Sequence, residues 1–212
     1  MICYSLFSPI IGQYILFDLN LFEKFAFYFN NRLLARFLFS IPLCILQIFP
    51  IFIILRIRNQ NLKSIGFIKN NLLKQFILGI IFSIPLISVT IVINYISGIK
   101  LNFESISIWS FLYMFVNIAL PEEIIFRGFI PSRLGTLIKN KYLNILCVSF
   151  IFGVIHIPFM LAQYKFTTIE LIIAIIPKSL YHIYFSYLYK LSDNSILSPT
   201  IAHALNNLIA TL

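Results

Sequence analysis

Uncharged runs, several of them long enough to cross a membrane, recur from one end of this chain to the other, and they leave few folds open. They occupy residues 1–17, 37–55, 75–99, 105–121, 142–164, 179–189 and 194–212. Several approach the roughly 20 residues that a helix needs to traverse a ~30 Å hydrocarbon core. Lipid offers no partners to backbone N–H and C=O groups, and the runs lack the apolar/polar alternation of an outer-membrane barrel. The pattern therefore predicts an all-α, polytopic membrane bundle of about six or seven transmembrane helices. Composition agrees: 60% of the 212 residues are apolar and 11% charged, whereas soluble domains carry about 25% charged residues.

The net charge of +9 does not point to nucleic acid. Lys and Arg stand between the apolar runs instead of forming a stripe on a soluble surface, so no nucleic-acid partner is expected. Arg56, Arg58, Lys63, Lys69 and Lys74 surround one loop, and Arg133, Lys139 and Lys141 another. The positive-inside rule places both in the cytoplasm, with the loops near Lys100 and Lys165 outside. Alternation then puts Lys24, Arg32 and Arg36 outside, against the rule. Residues 18–36 thus read either as an interfacial segment or as following a first run that does not cross. The expected location is a multi-pass position in a prokaryotic plasma membrane, with membrane lipid as a constant partner. The amino terminus has no basic region before its apolar run and no clear small-residue cleavage site, which argues against a removable signal peptide.

Cys3, Cys44 and Cys147 lie in apolar runs without a CxxC or a nearby His at metal-ligand spacing, so buried inert thiols are expected. Pro42, Pro50, Pro85, Pro121, Pro158 and Pro177 also fall inside apolar runs and mark expected kinks. Ser64-Ile65-Gly66-Phe67 reads as a turn before the third span.

Three places break the apolar rule: Pro121-Glu122-Glu123-Ile124-Ile125-Phe126-Arg127, Phe152-Gly153-Val154-Ile155-His156 and His203-Ala204-Leu205-Asn206-Asn207. Ionisable groups inside a membrane are costly and usually face a cavity or a partner. Each place holds an i, i+4 pair on one helix face: Glu123 with Arg127, Phe152 with His156, His203 with Asn207. Glu122 is turned by about 100° from Glu123, so one carboxylate can serve chemistry while Arg127 holds the other. Measured at ~1.5 Å per residue from expected helix ends near Ser132, Tyr142 and Asn194, Glu122, His156 and His203 lie roughly 15, 21 and 14 Å deep. These comparable levels are what a common site requires.

These residue types suit hydrolysis by an activated water. A carboxylate stripped of solvent in a membrane cavity is a competent general base for water. Neutral His can orient that water, and a His with an Asn on one helix face can donate hydrogen bonds to a developing oxyanion. Neither Ser nor Cys is needed as nucleophile.

The three segments also resemble the signatures of the CPBP family of CAAX-protease and bacteriocin-processing intramembrane proteases, also called Abi. EExxxR appears as Glu122-Glu123 with Arg127, FxxxH as Phe152 with His156, and HxxxN as His203 with Asn207, in the family's order. Arg127-Gly128-Phe129 and His156-Ile157-Pro158 share the resemblance, which covers about residues 60–212. Residues 1–60 match only as membrane segments, and 61–212 are the expected core. The resemblance implies that Glu122 activates water with help from His156, that His203 and Asn207 stabilise the oxyanion, and that Glu123 and Arg127 support them. Phe152 is expected to shape the cavity. The family is often labelled metalloprotease, so a zinc ion on Glu122, His156 and His203 stays open. The absence of HExxH and the placement of the two His on different runs favour glutamate and water without a required cofactor.

The implied substrate is a peptide or lipidated protein, in CAAX-type processing, bacteriocin maturation or self-immunity. Two other classes stand beside a protease: a non-catalytic immunity or scaffold protein of the same fold, and a proton-coupled transporter. No inverted repeat and no second acidic site in another run supports the transporter. Asn206 is expected as packing glue. Lys178, at the edge of the sixth run, and His182 within it, four residues apart, match no motif and read as structural or as facing substrate.

Overall fold

The computed structural model describes residues 20–103, 106–163 and 167–212 of the chain. The first apolar run, Cys3 and Lys165 lie outside those residues. The described part is helical, with no strand among the described residues. Helix α1 (Leu21–Ala26) is followed by α2 (Arg32–Ile57), α3 (Leu72–Ile96), α4 (Ile108–Leu134), α5 (Lys141–Val154), α6 (Ile157–Gln163), α7 (Thr168–Leu191) and α8 (Leu197–Ala210). Four of these, α2, α3, α4 and α7, are long and apolar enough to cross a membrane. The 14-residue α5 is shorter, as is the 14-residue α8. Leu, Ile, Val and Phe side chains on α2, α3 and α7 stay exposed on the outer faces of the bundle, as lipid-facing positions should.

Residues 20–31 do not prolong a span. The six-residue α1 folds back onto α2, with Phe22 and Phe25 against Phe39 and Glu23 paired with Arg32 at 2.5 Å.

Proline acts in two ways. Helices α2, α3 and α7 continue through Pro42, Pro50, Pro85 and Pro177. The run 142–164, expected as one span, is instead divided at Ile155–His156. Pro158 lacks the N–H that would bond the Val154 carbonyl, and its ring crowds that carbonyl. Val154 is where α5 ends. The sixth run proves to be the inner part of α7, whose start is fixed by a reciprocal cap between Thr167 and Glu170.

The basic loops gather at one end. Arg133 donates to Gln60, Asn144 holds the Pro131 carbonyl at 3.0 Å, and Lys74 pairs with Asp193 at 2.9 Å. Gly66, at φ 90°, closes the turn before α3, and its carbonyl accepts from the Ile196 amide. That positive φ suits glycine, and a side chain there would also meet Ile196. Buried Gln75 then locks α3 to α8: its side chain accepts from Ser195 at 2.6 Å, and its carbonyl accepts from Ser198 at 2.8 Å. Gly79 lets the same two helices touch, since a Cβ there would come within 2.7 Å of Ile201. Cys44 is buried against the Val116 carbonyl, and Cys147 is unpaired.

Candidate active site

Helix α4 is not uniform. It widens into π geometry over Tyr113–Ala119 and again over Ile124–Phe129, with regular helix at Leu120–Glu123 between them. Pro121 removes the amide that the Asn117 carbonyl would otherwise accept from, which favours the first widening. Asn117 ties that stretch to α2 by donating to the Phe37 carbonyl at 2.8 Å. The two glutamates therefore sit on a short regular segment between two distorted ones. Glu122 retains 20% side-chain exposure and Glu123 none.

Glu123 is the electrostatic centre. Its Oε2 lies 3.0 Å from Arg127 Nε, one helical turn on, with both side chains almost wholly buried. The approach is close enough for an ion pair but off-line for a hydrogen bond, and the Arg127 nitrogens carry no conventional hydrogen bond. Aromatic faces take that place. The guanidinium stands 5.0 Å from the Phe152 ring centre and 5.3 Å from that of Phe185, within the range of cation–π attraction. Phe152 thus does more than shape a cavity, because it also meets His156 edge-on at 4.8 Å. Phe185 stacks on His203 at 5.2 Å. No sequence motif marks Phe185; only the crossing of α7 and α8 reveals it.

His203 joins the two carboxylates. Its Nδ1 is 2.9 Å from Glu123 Oε1, and its Nε2 is 3.8 Å from Glu122 Oε2. Glu123, paired to Arg127, is an acceptor, so Nδ1 of His203 carries the proton. His156, in the turn after α5, places Nδ1 2.7 Å from the Phe152 carbonyl. A carbonyl can only accept, so this Nδ1 also carries a proton. Each histidine is thereby oriented with its Nε2 as the remaining functional atom.

Glu122, His156, His203 and Asn207, the residues expected to perform catalysis, line one cavity of about 380 Å³. Phe152, Tyr181, Phe185, Asn206 and Lys178 share it. Asn206 does bridge helices, accepting from Thr90 at 3.2 Å, but it also faces this space. Its neighbour Asn207 makes no hydrogen bond among the described residues.

The sequence leaves Glu122, His156 and His203 open as ligands of a zinc ion. Among the described residues no group of three or more His, Cys, Asp or Glu is arranged to hold a metal ion. The turn that carries His156 presents it along the cavity wall, while His203 is bound to Glu123. No step below is routed through a metal.

His182 belongs elsewhere. Fully buried in α7, it donates from Nε2 to the Phe126 carbonyl at 3.1 Å, and its Nδ1 lies 2.8 Å from Ser149 Oγ. Phe126 stands in the second widened stretch of α4, where a carbonyl can leave the helical ladder. His182 thus fastens α7 to α4 and α5. It borders a second cavity of about 210 Å³, nearer the basic loops, which Arg127, Lys141 and Lys190 also line.

Residues 104–209 match the model of the family described as type II CAAX prenyl endopeptidase Rce1-like. The chain belongs to that family. The matched half holds all three polar segments and every helix that lines the 380 Å³ cavity except α2 and α3. With four helices able to span a membrane, this family member is an integral membrane protein of the CAAX-type intramembrane endopeptidase class. No curated protein and no solved structure matches the chain.

Proposed function

We propose that this Rce1-like chain is an active intramembrane endopeptidase that uses Glu122 to activate water. The observation that carries the reading is the difference between two adjacent carboxylates. Glu123 is fully engaged by Arg127 and His203, whereas Glu122 faces the cavity with one oxygen unbonded. A carboxylate that is not engaged in structure, beside two oriented imidazoles, has the makings of a general base.

In the proposed reaction, water sits between Glu122 and His156 Nε2. Glu122 takes one water proton as the oxygen attacks the scissile carbonyl carbon, giving a tetrahedral intermediate. The negative oxygen is met by the Asn207 amide and by His203 as an imidazolium, whose second proton is directed by the bond from Nδ1 to Glu123. Collapse breaks the C–N bond, and Glu122 returns its proton to the leaving amine. Oxyanion donors of this kind contribute roughly 10²–10³ in kcat.

The substrate is a peptide or prenylated protein segment that reaches the cavity from the membrane. The walls supply Phe152, Tyr181, Phe185 and Ile155 for apolar contact. The test is cleavage of an S-prenylated peptide ending in a Cys-aliphatic-aliphatic sequence by purified protein in proteoliposomes, compared with Glu122→Gln. Retained cleavage by a folded Glu122→Gln variant would overturn the mechanism.

A further inference from the structure

The second cavity, of about 210 Å³, has no part in the proposed reaction. Three cations line it: Arg127 from α4, Lys141 from the start of α5 and Lys190 from the last turn of α7. No Asp or Glu stands among its lining residues. Asp193, next to the lining residue Asn194, is already paired with Lys74 at 2.9 Å. Lys190 donates to the neutral Asn194 side chain at 2.9 Å, and the Lys141 ammonium stands 5.0 Å from the Tyr142 ring centre. Neither lysine has a carboxylate partner among the described residues.

Arg127 supplies an independent observation. Its side chain is 1% exposed, yet Nε, Nη1 and Nη2 find no hydrogen-bond acceptor in the protein. The rings of Phe152 and Phe185 answer its charge from the side but leave the in-plane N–H groups unused. Buried donors without acceptors are costly, and the second cavity is where a ligand could bring oxygen atoms to them. The neutral lining groups have little to offer such a ligand. Ser132, Ser186 and Asn144 already donate to the carbonyls of Phe129, His182 and Pro131. Recognition therefore falls to the three cations, and it selects an anion with several oxygens.

Location narrows the source of that anion. The cavity lies at the basic end of the bundle, which the positive-inside rule places at the cytoplasmic face. Lys141 and Lys190 stand at helix ends, the level of lipid headgroups, and Arg127 lies seven residues, roughly 10 Å, inside the Leu134 end of α4. Basic pockets between membrane helices on this side suit anionic headgroups. The cavity is also smaller than the ~300 Å³ at which pockets for drug-sized ligands begin, so its occupant is a compact group.

We infer that the second cavity binds the phosphate group of an anionic phospholipid, held by Lys141, Lys190 and Arg127. The bound headgroup ties α5 to α7. Through Arg127, which pairs with Glu123 at 3.0 Å, it stands one side chain away from the reaction site. Binding here does not depend on whether the chain cuts peptides.

The test is thermal unfolding of the full chain, stripped of lipid in detergent and titrated with dioctanoyl phosphatidylglycerol, dioctanoyl phosphatidylcholine or inorganic phosphate. Phosphatidylglycerol should raise the unfolding temperature saturably, as a ligand of the folded state does, and phosphatidylcholine should not. Exposed Lys141 and Lys190 can be replaced without disturbing the core. The double variant Lys141→Gln, Lys190→Gln should weaken the apparent Kd about tenfold or more, as expected for loss of charge-assisted hydrogen bonds. Lys141→Arg with Lys190→Arg should retain binding. Lys63→Gln with Lys69→Gln, basic positions that do not line the cavity, should leave it unchanged. A matching shift with inorganic phosphate keeps the phosphate site but overturns lipid as its source. No saturable shift, an equal shift with phosphatidylcholine, or equal weakening in the Lys63 and Lys69 variant overturns the site.

Discussion

His203 holds Glu123 at 2.9 Å through Nδ1 and stands 3.8 Å from Glu122 through Nε2. One imidazole therefore connects a wholly buried carboxylate, neutralised by Arg127, with one that faces the cavity. His203 and Arg127 approach only one of the two adjacent glutamates closely, and the proposed mechanism gives them different tasks for that reason.

Replacing each glutamate should separate those tasks. Glu122→Gln should lower kcat by a factor on the order of 10² or more, with little change in thermal stability in detergent because Glu122 is not tied into the ion-pair core. Glu123→Gln should also impair activity, but it leaves Arg127 buried without its counter-charge. That kind of loss costs about 3–5 kcal/mol. A lower unfolding temperature for Glu123→Gln than for Glu122→Gln is the expected result.

Phe152→Leu tests the aromatic cradle around Arg127. It keeps an apolar side chain of similar reach but removes one face of the cation–π pair, worth about 2 kcal/mol where desolvated. It also removes the ring that meets His156. Stability should fall by an amount of that order, together with kcat, as read by denaturation in detergent and by peptide cleavage.

His182→Leu separates support from catalysis. The substitution removes the bond to Phe126 and the contact with Ser149, leaving a buried carbonyl without its donor, at about 1–3 kcal/mol. Thermal stability should drop, while kcat per folded molecule should stay near wild type because His182 lies outside the reaction cavity. A catalytic loss without a stability loss would contradict this assignment.

Gly153→Ala should be more damaging than its size suggests. A Cβ at Gly153 would come within 2.6 Å of both Ile175 and Ser179, forcing α5 away from α7 just before the turn that carries His156. Overpacking of this kind costs about 1–3 kcal/mol. Reduced stability and reduced peptide cleavage together are expected.

Chelation provides a check on the water mechanism. Dialysis of the purified protein against a strong zinc chelator should leave peptide cleavage unchanged, because Glu122, His156 and His203 are assigned no metal in the proposed cycle. Loss of activity that zinc alone restores would replace the glutamate-water mechanism.

The membrane class was legible because the runs are long and uncharged, and the polar segments because each is an exception within such a run. The i, i+4 spacing of Glu123 and Arg127 in the sequence corresponds to their 3.0 Å pairing. What periodicity could not show was which helices cross. The bond from His203 to Glu123, the stacking of Phe185 on His203 and the donation from His182 to Phe126 all join residues far apart in the chain. The break after Val154 was a local matter, and Pro158 signalled it, but an uninterrupted apolar run concealed the stop. The two widened stretches of α4 have no comparable sequence mark, apart from Pro121.

Arg127 and its aromatic neighbours fill the space between the two cavities. A hydrolase embedded in a bilayer must admit water without opening a wire for protons from one compartment to the other. Phe152 and Phe185 line the cavity that holds Glu122, and the fixed positive charge of Arg127 against their rings borders the second cavity. The arginine of the EExxxR motif would then also be the insulation that lets a wet reaction proceed in an energised membrane.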